Sequence, residues 1–84
     1  MVKASAIYET LQSSPRAVLR FRDFIKLLAA FGFICVRRRG SHRVYEHPAL
    51  PRPLIVQPRQ GEAKAYQQQE FLDMVAAYDL RLSE

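Results

Sequence analysis

Apolar residues recur along this chain in two rhythms, one helical and one strand-like, and the places where the rhythm changes mark the elements. Ala4, Ile7, Tyr8 and Leu11 share one side of a predicted short helix over residues 3–12, which Ser13-Ser14-Pro15 ends. Proline removes a donor and restricts the residue before it. Residues 17–21 fit either state and can run extended into the next element. A second helix is predicted over 22–31. Phe21, Phe24, Leu28 and Phe31 form its apolar stripe, Ile25 and Leu27 broaden it, and Gly32 follows where a left-handed residue closes a helix. Asp23 suits the positive end of that helix. The β-branched and aromatic run 33–37 reads as a strand, turning over Arg39-Gly40 into a returning strand at 42–47. Residues 48–53 hold three prolines and read as a loop, and 54–57 form a third short strand stopped by Pro58. After a polar linker at 60–63, a last helix is predicted over 66–78, with Phe71, Leu72, Val75 and Tyr78 as its core face. The order predicts an α+β fold: a three-stranded antiparallel sheet with helices on one face, plus an N-terminal helix.

Composition narrows the class. Eighty-four residues make one domain with a thin core and no deep enclosed pocket. Apolar residues at 49% and aromatics at 11% argue against disorder. One cysteine cannot form an internal disulfide, which fits a reducing compartment. Met1-Val2-Lys3-Ala4-Ser5 starts no long apolar leader, and no apolar run reaches bilayer length, so a cytoplasmic location without membrane contact is expected.

Charge adds a direction. The net charge is +5 and the pI about 9.9. Residues 37–64 hold seven of the thirteen basic groups, namely Arg37, Arg38, Arg39, Arg43, Arg52, Arg59 and Lys64, against Glu46 and Glu62. Residues 65–84 reverse this, with Glu70, Asp73, Asp79 and Glu84 against Arg81. The middle attracts phosphates and the tail does not. Charge runs also occur as plain solvated faces, and the run alone leaves both readings open.

Candidate chemistry gathers at the predicted hairpin tip. Histidine is the side-chain type that exchanges protons near neutrality, and His42 lies among cations that would hold a phosphate beside it. Gly40 permits φ > 0 and close approach of backbone N–H groups to an anion, and Ser41 can add a hydroxyl donor; an ordinary hairpin turn explains both equally well. Arg37, Arg38, Arg39 and Arg43 can clamp phosphate oxygens, with Arg59 and Lys64 contributing from the second polar loop. His47 alternates to the opposite face from His42 and reads as structural. Two such histidines, without a cysteine pair or acidic cluster, predict no metal site, and no cofactor is indicated. Tyr45 and Tyr66 can stack on bases, though core packing is the commoner use of tyrosine. Cys35, in an apolar strand, reads as an inert core residue.

Phe31-Gly32-Phe33, then Arg38-Arg39-Gly40-Ser41-His42-Arg43-Val44-Tyr45-Glu46-His47-Pro48, and later Gln57 with Gly61-Glu62-Ala63-Lys64-Ala65-Tyr66-Gln67 leading into Phe71-Leu72, resemble the HicA toxin family of bacterial toxin–antitoxin systems. The resemblance covers residues 21–82, leaving 1–15 as a helical extension. It implies a double-stranded-RNA-binding-domain-like fold and a ribosome-independent mRNA interferase. It also implies that the Gly-Ser-His histidine, here His42, is catalytic, and that a HicB antitoxin covers the site. Many members carry a second histidine where this chain has Arg43, and often a proline where it has Ala65. A metal-free ribonuclease needs only proton transfer and cationic stabilisation while the 2′-hydroxyl attacks its own phosphate.

A non-catalytic RNA-binding module is the alternative on the same scaffold. A DNA-reading transcription factor fits less well, because the last helix is acidic.

Overall fold

The computed structural model describes residues 3–83. Met1, Val2 and Glu84, which entered the leader and charge arguments, lie outside the described residues. The elements follow the expected order: α1 (Ala4–Ser13), α2 (Phe21–Ala30), β1 (Ile34–Arg39), β2 (His42–Glu46), β3 (Leu54–Val56) and α3 (Ala65–Tyr78). The strands form one antiparallel sheet in the order β1-β2-β3. The α+β class and the three-stranded sheet are those expected.

Alternation along β3 decides which face the helices cover. Leu54 and Val56 are buried and Ile55 is exposed. Their ladder partners on β2, Tyr45 and Arg43, therefore share the covered face, while Val44 stands with Ile55 on the bare face. Phe71 of α3 is fully buried at the centre of the core, with its ring 5.9 Å from Phe24, 5.2 Å from Phe31 and 6.0 Å from Phe33. The contacts with Phe24 and Phe31 are edge-on, a geometry that adds about 0.5–1.5 kcal/mol each beyond area burial. Helix α1 joins the same cluster through Ala4, Ile7 and Leu11, and Tyr8 meets Phe31 edge-on at 4.9 Å.

The end of α2 sets the entry into the sheet. Gly32 takes φ +92°; its N–H bonds Ala29 O, and the Phe33 N–H bonds Leu28 O, both at 3.0 Å. This is the Schellman closure, with buried Leu28 and Phe33 as its apolar contact. A Cβ on Gly32 would sit 3.2 Å from His47 Nε2. That nitrogen is 3.0 Å from Phe31 O, and His47 Nδ1 accepts from the Ala49 N–H at 3.0 Å. His47 thus lies just past β2, holding the end of α2 against the loop that follows.

The ambiguous stretch before α2 is extended, for a reason outside itself. Its Leu19 carbonyl accepts from Ala63 N–H, and Phe21 N–H donates to Gly61 O, each at 2.9 Å. On the other side Gln68, fully buried, accepts from Leu19 N–H at 2.9 Å and donates to Ala17 O at 2.6 Å. Both edges of residues 17–21 are satisfied by chain 40–51 residues away in sequence.

Several expectations need correction. Cys35 is exposed rather than a core residue, because β1 is an edge strand whose six residues are all exposed. The turn lies one residue later than expected: Arg39 pairs with His42, leaving Gly40-Ser41 as the loop. Positive φ at Gly40 (61°) but not at Ser41 is the signature of a type II′ turn, whose twist suits a hairpin. Tyr78 is 45% exposed, because the stripe of α3 runs through Met74 and Val75 and then passes to Leu80 after the helix ends at left-handed Asp79. Tyr66 is 66% exposed and so does not pack in the core, whereas Tyr45 is buried there.

Candidate functional site

A β-bulge sorts the hairpin arginines. Cys35 pairs with Tyr45 and Arg37 with Val44, so Val36 is the extra residue on β1. From there the register runs Arg37↔Val44, Arg38↔Arg43, Arg39↔His42. Cross-strand partners share a face. Arg37, Arg39 and His42 therefore belong to the bare face, and Arg38 and Arg43 to the helix-covered face. Arg43 is half-buried, and its guanidinium carbon lies 5.2 Å from the centre of the Phe21 ring. Stacking of this kind holds an arginine by cation–π attraction. The expected single cluster around His42 is in fact two cationic groups back to back. His42 keeps Arg39 as its direct partner, and Arg43 faces away from it.

The charges in this hairpin lack carboxylate partners among the described residues. Ion pairs among the described residues include Arg22–Asp23, Arg52–Glu70 and Arg81–Asp79. Arg52, counted with the cationic middle, is thus neutralised by α3 at 2.7 Å, while Arg37, Arg38, Arg39, Arg43 and Arg59 are not. Arg38 directly opposite Arg43 is a like-charge pair, which costs an isolated sheet stability. Sites that break a local rule in this way are where function is to be sought.

A polar chain joins the turn to α3. Gln57, next after β3, donates from Nε2 to Ser41 Oγ at 3.1 Å, and its Oε1 accepts from Lys64 Nζ at 3.3 Å. Its backbone N–H donates to Gln67 Oε1 at 3.1 Å, and Gln67 Nε2 donates to the Tyr66 hydroxyl at 3.2 Å. Lys64 is thereby brought to the Gly40-Ser41 turn that precedes His42. Arg59 is not bonded into this chain. It lies in the turn 59–62, where Arg59 and Glu62 exchange backbone hydrogen bonds.

Gln67 and Gln68 carry no structural role in the expectations drawn from sequence. Spacing held the signal: Gln68 precedes Phe71 and Val75 by three and seven residues, and Gln67 precedes Phe71 and Met74 by four and seven. Both glutamines are buried, at 4% and 0% exposure.

Among the described residues no group of three or more His, Cys, Asp or Glu side chains gathers to hold a metal ion, and no helix is long and apolar enough to cross a membrane. The arrangement offers an exposed imidazole with an arginine opposite it, on a turn tethered by Gln57, beside further uncompensated cations. Such a surface can hold a phosphate and move a proton next to it.

In comparisons with known proteins, residues 21–73 match the family described as HicA toxin of bacterial toxin-antitoxin. No curated protein and no solved structure matches the chain. The family match spans α2, the whole sheet and the first part of α3, more than half of the 84 residues. The chain belongs to the HicA toxin family of bacterial toxin–antitoxin systems.

Proposed function

We propose that this toxin is a metal-independent endoribonuclease that cleaves mRNA, with His42 as its catalytic residue. The observation that carries the reading is the pairing of an exposed histidine with Arg39 on the bare face, directly after a turn held by Gln57. In the proposed reaction the 2′-hydroxyl of RNA attacks the adjacent phosphorus. Its proton passes to the neutral His42 imidazole as the 2′-O–P bond forms. The P–O5′ bond breaks, and the leaving oxygen takes a proton from water. Arg39 and Arg37 stabilise the charge that builds on the phosphoryl oxygens. The products are a cyclic phosphate and a free 5′-hydroxyl. Arg38, Arg43, Arg59, Lys64 and the Gly40-Ser41 turn serve RNA binding in this reading.

Membership of a toxin–antitoxin family supports a neutralising partner. We assign that role to a HicB-type antitoxin covering the His42 face, in the cytoplasm.

The test compares wild type with His42→Ala on a single-stranded RNA, with and without chelator. Wild type is expected to cleave in both conditions. His42→Ala is expected to keep its fold, because the side chain is exposed, and to lose at least about a hundredfold in rate. Equal cleavage by the variant refutes the catalytic assignment, and loss of wild-type activity with chelator refutes metal independence. RNA binding without cleavage by wild type would leave a non-catalytic binding module.

A further inference from the structure

A groove of about 560 Å³ runs beside the polar chain, its walls including Val18, Arg59, Gln60, Glu62, Lys64 and Tyr66. We propose that it is a base-binding subsite for single-stranded RNA, holding a nucleotide that flanks the phosphate cleaved at His42. The proposal deepens the ribonuclease reading and rests on it for the direction of the strand.

Tyr66 is the first argument. It is 66% exposed, an unusual position for a tyrosine with no core to fill, and Val18 beside the same groove is 49% exposed. Apolar surface in that state gains from a planar partner laid against it. The phenol end is also fixed: Gln67, only 4% exposed, donates to the hydroxyl at 3.2 Å. A ring pinned at its polar end and free on its face is a preorganised stacking platform, and every base has a face to offer it.

Charge is the second. Arg59 has no carboxylate partner among the described residues, and the partner of Lys64 is the neutral Gln57 amide at 3.3 Å. Two cations without a carboxylate partner share the groove's lining with the ring, available to the backbone phosphates of a stacked nucleotide. Glu62 on the same lining works against a bare phosphate lodged deep in the groove, and a carboxylate there accepts from base amino groups. A base in the groove with its phosphates at the rim satisfies all three charges.

Continuity is the third. Lys64 lines the groove and is two hydrogen bonds from Ser41, through Gln57, and Ser41 adjoins His42. One strand of RNA can thus engage both places within a few nucleotides. A duplex keeps its bases stacked on each other and has no face to give Tyr66.

The test measures binding of the full chain to a fluorescein-labelled 2′-O-methyl RNA by anisotropy. That RNA lacks the attacking hydroxyl and survives whether or not His42 is catalytic. Tyr66→Ala is expected to weaken binding about tenfold, the scale of one base–aromatic stack. Tyr66→Phe keeps the ring face but loses the pinned hydroxyl and is expected to fall about twofold to threefold, well short of alanine, and annealing the RNA to its complement to weaken binding to the wild-type chain. Circular dichroism checks that each variant is folded. Unchanged affinity in Tyr66→Ala overturns the proposal, as does Tyr66→Phe falling as far as alanine, or no binding by wild type. If His42→Ala abolishes cleavage while Tyr66→Ala binds normally, the subsite alone is wrong. If Tyr66→Ala binds weakly while His42→Ala cleaves normally, the subsite stands and the catalytic assignment falls.

Discussion

The side-chain amide of Gln68 is fully buried, and both of its groups bond the extended segment that precedes α2, at 2.9 and 2.6 Å. Gln68→Ala removes both bonds and leaves a small void. The Leu19 N–H, in a buried residue, is left without an acceptor, at a cost of about 1–3 kcal/mol. The Ala17 carbonyl is half-buried, so water reaches it and its loss costs about 1 kcal/mol. Lost packing adds about 1 kcal/mol. The sum is about 3–5 kcal/mol, a large part of the 5–15 kcal/mol typical of a whole domain. For a chain of this size it corresponds to a fall in Tm of roughly 12–40 °C. Urea unfolding followed by circular dichroism reads the change directly. Gln69→Ala is the matched control, since it removes only an exposed bond to Asp73 and is expected to stay within about 0.5 kcal/mol of wild type. A Gln68→Ala protein within about 1 kcal/mol of wild type would refute the idea that this amide holds the segment in place.

Two further substitutions separate the site from the scaffold. Gln57→Ala releases Ser41 and Lys64 together. It is expected to lower kcat roughly tenfold to a hundredfold through misplacement of the turn, with little change in unfolding midpoint; an unaltered kcat would show that the tether is irrelevant to the reaction. Gly32→Ala forces a Cβ into left-handed backbone at φ +92° and to 3.2 Å from His47 Nε2. It is expected to cost about 2–3 kcal/mol in thermal denaturation, and a loss under about 0.5 kcal/mol would contradict the strain assigned to that position.

Element types were legible in the sequence because the stripes are strong and the breakers well placed. Phe24, Leu28 and Phe71 announce their burial, and Gly32 announces its turn. What stayed hidden depends on events that no local pattern encodes. One extra residue at Val36 decides the side on which each of the following arginines stands, and a bulge leaves no compositional trace. Cys35 looked interior because β-branched neighbours suit buried and edge strands alike. Residues 17–21 could be read either way, since the partners that hold them extended lie at 61–63 and at Gln68. Of the candidate site, the residue types and the place of His42 on the hairpin were readable. The division of the cations between two faces, and the glutamine chain that anchors the turn, required three-dimensional registration.

The facing of Arg38 and Arg43 across the hairpin has a thermodynamic side. Two like charges on cross-strand partners repel each other, and an anion bound beside both relieves the repulsion. Occupancy and folding are then linked quantities: whatever neutralises the hairpin also raises the free energy of unfolding. Under the proposed function, the free toxin is less stable than its complex with RNA, and a captured RNA acts on it as a folding ligand.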